Sequence, residues 1–114
     1  MTRLKFFAKE GPFYGMNRGW GNGYVCIPEG HPMHGMGYDE IHQAYDIDVN
    51  GDLTFSESAA NLTHWGLPEL VVPTDWIIGF DTAHYGDDRE KWPDEQSVLR
   101  EAARLAGQIE SLIQ

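Results

Sequence analysis

The spacing of apolar residues predicts one long amphipathic helix near the end of the chain. From residue 92 to residue 114, apolar residues recur at intervals of three and four, which is the period of a helix with one apolar face. Acidic residues cluster near the start of this segment, where they complement the positive end of the helix dipole. The apolar positions are Val98, Leu99, Ala102, Leu105, Ala106, Ile109, Leu112 and Ile113.

Shorter apolar runs upstream predict strands. Residues 3–8 and 24–27 are two short β-favouring runs. Residues 75–81, DWIIGFD, form an apolar run flanked by turn-forming residues, which is typical of a central strand. The segment 11–23 contains so many glycines that we expect a loop there, without helix or strand. Residues 39–45 can form at most two helical turns.

An alternation of period two predicts a β-hairpin over residues 44–56. Apolar and polar residues alternate on both sides of Asn50-Gly51, as expected of two half-buried strands. Asn-Gly is typical of a tight hairpin turn in which both residues take positive φ angles. On this interpretation Asn50→Gly would be tolerated and Gly51→Val would be costly, because glycine adopts a positive φ readily and a β-branched residue resists it.

The same stretch also matches the pattern of a calcium loop. In DIDVNGDLTFSE, the ligand and glycine places of an EF-hand loop are occupied by Asp46, Asp48, Asn50, Gly51 and Glu57. An EF-hand needs a helix on each side of its loop and usually a second hand beside it. The preceding helix would be barely two turns long, and the sequence contains no second loop of this kind. We therefore prefer the hairpin and keep an EF-hand-like calcium loop as an alternative.

Together these elements predict an α+β fold. We expect a single domain over residues 1–114, in which a small antiparallel sheet contains the hairpin at 44–56 and the central strand at 75–81, and the C-terminal helix packs on that sheet. The apolar face of the helix is wider than one stripe, so one thin sheet would leave part of it uncovered. We therefore also predict a homodimer or larger closed assembly with this helix at the interface.

Charge and composition narrow the functional classes. The chain has 18 acidic and eight basic residues and a formal net charge of −10, which argues against a broad basic surface for duplex nucleic acid or an anionic membrane. No segment approaches the length of a membrane span. The single cysteine, Cys26, cannot form an internal disulfide. We expect a cytoplasmic protein that is held together by packing.

Three short motifs resemble a family of small uncharacterised proteins common in bacteriophages and bacteria. Residues 30–32 match Gly-His-Pro, residues 53–56 match a Leu-Thr-Tyr-Ser segment, and residues 79–87 match Gly-Phe-Asp-x-x-His-x-Gly-Asp. The chain departs from the family where Asn50 replaces a turn histidine and Asp52 replaces a glycine, and these departures complete the calcium-like string. The resemblance covers most of the chain up to about residue 87. It implies a phage-type accessory protein, located in the host cytoplasm if phage-encoded.

The candidate catalytic residues are histidines and aspartates: His31, Asp81, His84 and Asp87. Asp81 ends the predicted central strand, and the loop after it carries two more members, at a position where strand-supported sites are common. Together with His34, these side chains can bind a divalent metal ion or divide acid and base roles between them. The alternative is structural: Asp81 caps a turn, His84 bonds to a backbone carbonyl, and Asp87 is a solvated loop residue.

The candidate ligand-binding residues lie in the glycine-rich segment and in the Leu-Thr-Phe-Ser motif. They are Tyr14, Arg18, Trp20, Tyr24, Thr54 and Ser56. Aromatic rings can stack a planar base, and an arginine can pair with a phosphate. The alternative for Trp20 and Tyr24 is simple packing on the core, which is usual for tryptophan.

Two hypotheses for function come from these features. The first is a phage-type accessory protein with an anti-defence role that binds, and can hydrolyse, a small nucleotide-derived ligand through its His/Asp cluster. A cyclic nucleotide immune signal is implied as ligand by the resemblance alone. The second is an acidic protein inhibitor that docks on a host protein without catalysis, because a strongly negative surface can occupy a basic cleft.

Overall fold

The computed structural model describes residues 3–11, 19–84 and 86–112. The strands are β1 (Lys5–Glu10), β2 (Gly21–Ile27), β3 (Phe55–Ser58) and β4 (Trp76–Phe80), and the helices are α1 (Tyr38–Ala44) and α2 (Glu95–Leu112). The strands form one antiparallel sheet in the order β1-β2-β4-β3. The predicted α+β fold, with a C-terminal helix beside an antiparallel sheet, is confirmed.

The centre of the sheet is the pair formed by β2 and β4. The predicted central strand is confirmed, because β4 lies between β2 and β3. The prediction that the whole glycine-rich segment is a loop is wrong at its end, since β2 begins at Gly21. Gly23 lies opposite Phe80, and Tyr24 lies opposite Gly79. A Cβ atom at either glycine would lie 2.4 Å from the ring of its opposite aromatic residue, so these glycines make room for the rings.

One face of the sheet packs on α2, which contacts β1 and β2. The buried residues of this layer include Val25, Ile27, Ile78 and Phe80 from the sheet, and Val98, Ala102, Leu105, Ala106 and Ile109 from α2. Leu112, near the end of the helix, is 46% exposed. The chain itself therefore covers most of the apolar face of α2. The homo-oligomer stays a prediction, but the burial of this face does not require it.

The opposite face of the sheet is covered by the segment 59–75. Apolar residues of this segment pack on Phe7, Tyr24, Cys26 and Ile77. The segment ends at Asp75, which is 2% exposed and forms an ion pair of 2.8 Å with Nζ of the partly exposed Lys5. Burial raises the pKa of the Cys26 thiol to about 12, and the charge of Asp75 adds to this rise. Cys26 is thus a core residue and not a reactive thiol.

The hairpin predicted over residues 44–56 is not formed. β3 begins only at Phe55 and pairs with β4, and the residues before it lie outside the sheet. Their alternation has another cause, because Ile47, Val49 and Leu53 are buried in the same core as α2. An extended segment that lies on a core shows the same period of two as a strand that pairs with a neighbour.

Residues 46–54 instead form a loop with a tight turn at its centre. The N–H of Asp52 donates to the carbonyl oxygen of Val49 at 3.0 Å. The positive φ angles fall at Gly51 (+66°) and Asp52 (+67°) and not at Asn50. An EF-hand would continue into a helix after this stretch, but Glu57 lies in strand β3. The EF-hand interpretation is therefore wrong as well.

The two predicted helices are found. α1 spans the two turns expected near residues 39–45, and α2 is the long amphipathic helix. Across the described ranges, no helix has both the length and the apolar character needed to cross a membrane.

Candidate functional site

Asp81 directly follows the last residue of β4 and begins the site. Its Oδ1 accepts a hydrogen bond from the backbone N–H of Ala83 at 3.0 Å, which turns the chain away from the sheet. Its Oδ2 accepts a hydrogen bond from Thr54 Oγ1 at 3.2 Å. About a third of the side chain (32%) is exposed. Asp81 is therefore a turn cap, as the structural alternative proposed, with a carboxylate that solvent and ligands can reach.

The His84 ring lies between two carboxylates. Its Nδ1 is 3.1 Å from Asp81 Oδ1 and 3.2 Å from Asp87 Oδ2, and 33% of its side chain is exposed. A proton on Nδ1 is donated to Asp87 Oδ2 and leaves Nε2 as an acceptor, while Asp81 Oδ1 is a close neighbour of the same nitrogen. An imidazole oriented by carboxylates in this way can accept and return a proton. We call Asp81, His84 and Asp87 the His84 cluster.

Asp87 is the buried member of the cluster, with 5% of its surface exposed. Its oxygens accept hydrogen bonds from the Asn50 amide at 3.1 and 3.2 Å, the Trp92 indole at 3.0 Å, and the His84 backbone N–H at 3.0 Å. Burial opposes ionisation, but these donors outweigh it and hold the pKa of Asp87 below its ordinary value. Asp87 is thus a buried anion and not the solvated loop residue of the structural alternative.

Asn50 and Gly51 bring the 46–54 loop against the cluster. The Asn50 amide also donates to the backbone carbonyl of Asp81 at 3.2 Å. A Cβ atom at Gly51 would lie 2.3 Å from Cε1 of His84, so the glycine backbone packs directly on the imidazole. We therefore expect Asn50→Gly to destabilise the protein, contrary to the prediction from the sequence, because it removes an amide that donates to the buried carboxylate of Asp87.

Side chains of α2 hold this loop in place. The Gln108 amide accepts from the N–H of Asp48 at 2.8 Å and donates to its carbonyl oxygen at 2.6 Å. Glu101 accepts from the N–H of Asn50 at 2.9 Å, and Arg104 lies 2.8 Å from Glu101 and 3.3 Å from Asp48. The loop therefore receives from the helix the backbone partners that a strand would receive from a sheet.

A cavity of about 200 Å³ lies beside Asp81. We call it the Tyr24 cavity, and it is lined by Asn22, Tyr24, Thr54, Phe55, Phe80 and Asp81. Burial raises the pKa of Tyr24 to about 12; the neighbouring Asn22 side chain opposes this rise, and the charge of Asp81 adds to it. Sites for drug-sized ligands usually measure roughly 300–1,000 Å³. The Tyr24 cavity is smaller than such sites and therefore suits a single small group.

The structure does not bring every predicted residue to this place. Because β2 and β4 are antiparallel and Ile27 lies opposite Trp76, the turn after β2 lies at the other end of the sheet from Asp81. His31 is in that turn, where its Nδ1 accepts from a backbone N–H at 3.1 Å. Burial, and then the nearby His34, lower the pKa of His31. The expectation that His31 joins the cluster is wrong for this reason.

The predicted ligand-binding residues are also divided. Tyr24 and Thr54 line the cavity. Trp20 is half-buried against the core on the α2 side of the sheet, as the packing alternative stated, and Ser56 accepts a hydrogen bond from the N–H of Tyr38 at 3.1 Å. Tyr14 and Arg18 lie outside the described residues.

The site also contains residues that the sequence does not predict for it. Asn50 and Gly51 carry a local sequence signal, but it indicates a turn and not a contact with the His84 cluster. Trp92 and Phe55 carry no local pattern that connects them with Asp87 or with the cavity. Their contacts follow from tertiary packing.

Within the described ranges, no three His, Cys, Asp or Glu side chains are arranged to hold a metal ion. The oxygens of Asp87 accept hydrogen bonds from N–H donors. Comparison of the chain with protein-family models, with curated proteins and with solved structures found no match.

Proposed function

We propose that the protein binds a small nucleotide-derived ligand, with the planar base in the Tyr24 cavity and the His84 cluster beside it. The observation that carries this proposal is the double role of Asp81. The same carboxylate lines the cavity and contacts Nδ1 of His84. A ligand in the cavity therefore lies next to a residue of the proton-transferring cluster.

The walls of the cavity support a planar ring. Tyr24 and Phe55 are in edge contact, with ring centroids 5.6 Å apart, and Phe80 also lines the space. Tyr24 and Phe80 are buried, at 4% and 1% exposed, and Phe55 is partly exposed, so Phe55 is the ring on which a base would stack. Polar groups at the rim, Thr54 and Asp81, then fix the orientation of the ring.

The His84 cluster supplies the chemistry for hydrolysis if the ligand carries a phosphodiester near it. His84 Nε2 takes a proton from water, the water oxygen forms a bond to phosphorus, the bond from phosphorus to the leaving ribose oxygen breaks, and that oxygen receives the proton. The six residues that line the cavity include no cation to neutralise the phosphate. The site thus supports binding more strongly than turnover.

The resemblance to the phage and bacterial family supports a further part of the proposal, that the ligand is a signalling nucleotide of the host cell. The test is to incubate the purified protein with a panel of cyclic mononucleotides and cyclic dinucleotides. Thermal shift measures binding, and mass-balanced chromatography measures products. We expect at least one nucleotide to raise the melting temperature.

A variant and its control distinguish binding of the nucleotide from its hydrolysis. His84→Ala should keep the thermal shift and lose any product formation. His64→Ala is the control, because His64 is an exposed histidine beside Trp65 and outside the cluster. If no nucleotide shifts the melting temperature and none is converted, the proposed function is wrong.

A further inference from the structure

Strand β1 is an edge of the sheet, and a hydrogen bond beyond its end shows which of its backbone groups point away from β2. Among the described strands, β1 pairs with β2 alone. The N–H of Gly11, just after β1, donates to the carbonyl oxygen of Trp20, just before β2, at 3.2 Å. Successive residues of an antiparallel strand bond alternately to its two sides, so the odd-numbered residues of β1 bond to β2. The N–H and C=O groups of Phe6, Ala8 and Glu10 therefore point outwards.

The outward groups of β1 form an unpaired edge within the described ranges. Leu4 lies one step before them, and its N–H donates to Glu110 Oε2 at 2.9 Å, away from β2, which agrees with the assigned direction. The next outward N–H groups, at residues 6, 8 and 10, have no partner in the part of the chain that the structure describes. The other edge differs, because the N–H of Ser58 in β3 donates to the Glu57 side chain at 2.8 Å. An unpaired edge is a template for an added strand.

A cavity of about 90 Å³ opens beside this edge. We call it the Trp65 pocket, and its lining includes Phe7, Ala8, Lys9, Trp65, Leu67 and Pro68. The side chain of Ala8 packs on the α2 side of the sheet, whereas Phe7 packs on the opposite side together with Trp65. Ala8 therefore reaches the pocket through its backbone. The Trp65 pocket thus adjoins the outward N–H and C=O groups of Ala8.

The Trp65 pocket has the size and the apolar walls for one aliphatic side chain. An apolar cavity of about 150 Å³ holds a benzene ring, so a cavity of about 90 Å³ is too small for an aromatic side chain. On the other face of the sheet, the half-buried Leu99 and Ala103 lie on the same side of α2 as Glu110, which contacts the start of β1. An added strand points successive side chains to the two faces. Two successive aliphatic residues therefore match this edge.

The charge at the pocket favours an acidic residue beside that aliphatic pair. Lys9 is exposed, and its Nζ lies 3.4 Å from the carbonyl oxygen of Trp65, a neutral group. No carboxylate of the described residues pairs with this ammonium group, so a carboxylate from a bound strand can do so. The β1 strand of a second copy fits less well, because it brings the aromatic side chains of Phe6 and Phe7 to a pocket of aliphatic size.

We infer that the β1 edge and the Trp65 pocket bind an extended segment of a partner protein, in which an acidic residue adjoins two aliphatic residues. This segment adds a fifth strand to the sheet. Its backbone hydrogen bonds supply affinity, and the pocket selects the side chain. The Trp65 pocket shares no lining residue with the Tyr24 cavity. The inference therefore goes beyond the proposed function and does not depend on it.

Fluorescence polarisation of the full chain with a labelled, acetylated and amidated peptide tests the inference. The probe is Thr-Asp-Val-Val-Thr-Thr, whose β-branched residues favour an extended strand. Replacing both valines by phenylalanine should weaken binding at least 10-fold, because the aromatic rings exceed the pocket. Replacing the aspartate by lysine should also weaken binding, since it brings a second cation close to Lys9.

Two substitutions of Ala8 separate the backbone contact from the side chain. Ala8→Pro removes an outward N–H without removing a bond to β2, and proline is compatible with an edge strand. It should weaken peptide binding at least 10-fold. Ala8→Ser keeps the N–H and should bind like the unaltered chain. Circular dichroism checks that both variants fold.

Amide hydrogen exchange followed by nuclear magnetic resonance locates the peptide on the unaltered chain. The peptide should slow exchange of the N–H groups of Phe6, Ala8 and Glu10 and leave that of Ser58 unchanged. The inference is overturned if the peptide does not bind, if the phenylalanine peptide binds as tightly, or if Ala8→Pro binds as well as Ala8→Ser. Protection of the same amides by a rise in protein concentration alone would show that a second copy takes the edge, and would also overturn it. None of these results bears on nucleotide binding.

Discussion

Replacing Asn50 by alanine tests the most connected contact of the site. The Asn50 amide donates to both oxygens of the Asp87 carboxylate and to the backbone carbonyl of Asp81, at 3.1 to 3.2 Å. Asp87 is only 5% exposed, so water replaces the lost donor poorly. The substitution therefore leaves a buried anion with one donor fewer.

The expected cost follows from that burial. A hydrogen bond to a charged group contributes roughly 1.5–3 kcal/mol, and the bond to the Asp81 carbonyl adds a smaller amount. We expect Asn50→Ala to lower the free energy of unfolding by about 3 kcal/mol. For a chain of this size, each kcal/mol corresponds to roughly 4 °C in melting temperature, so the melting temperature should fall by roughly 12 °C.

The effect should depend on pH in a defined direction. The pKa of Asp87 is lowered in the folded protein, so its contribution to stability is present above the ordinary aspartate pKa of about 3.9 and is lost as the pH falls through the lowered value. Asn50→Ala removes one of the donors that lower this pKa. The difference in melting temperature between the variant and the unaltered chain should be largest near pH 7 and should narrow below about pH 4.

Thermal unfolding followed by circular dichroism between pH 3 and pH 7 measures both effects. Asn61→Ala is the matched control, because the Asn61 amide also donates to a carboxylate, that of Glu57, but at the surface (3.0 Å). It should change the melting temperature very little. If Asn50→Ala costs no more than Asn61→Ala, or if its cost does not vary with pH, the account of Asp87 as a buried anion held by Asn50 is wrong.

Three further outcomes are expected. Gly51→Ala should destabilise the protein more than Gly86→Ala in thermal melts, because both glycines have positive φ but only the Cβ at Gly51 would meet the His84 ring, at 2.3 Å; equal losses would contradict this packing. Millimolar calcium should leave the melting temperature nearly unchanged, whereas an EDTA-reversible rise that Glu57→Gln abolishes would restore the calcium interpretation. Light scattering at micromolar concentration tests the dimer or larger closed assembly predicted from the sequence, and a strict monomer would agree with the burial of the apolar face of α2 within the chain.

The elements that the sequence predicted well are those whose pattern is local. The apolar run of β4 and the three-and-four spacing of α2 each arise from contacts that one element makes along its whole length. Part of the site was equally local, because Asp81, His84 and Asp87 lie within a single loop. Their convergence around the imidazole follows from a turn of a few residues, which a short motif can indicate.

The elements that were predicted wrongly depend on distant partners. The 46–54 loop bonds to Gln108 and Glu101, which are 60 and 51 residues away from their partners Asp48 and Asn50. Nothing local distinguishes such a segment from a strand, since both bury alternate residues. The direction of β2 relative to β4 decides at which end of the sheet each residue lies. This direction is a property of the whole sheet and not of the local sequence, so the sequence did not place His31 correctly.

The dependence of the 46–54 loop on α2 has a consequence for the order in which the protein matures. On a ribosome, the chain is made from its N-terminal end, so His84 and its two carboxylates are complete before Glu101 and Gln108 exist. Until those residues emerge, the loop lacks partners for the N–H groups of Asp48 and Asn50, and the amide that holds Asp87 has no fixed position. A nascent chain can therefore form its central strands early, but the arrangement around His84 is complete only when α2 has been synthesised and docked.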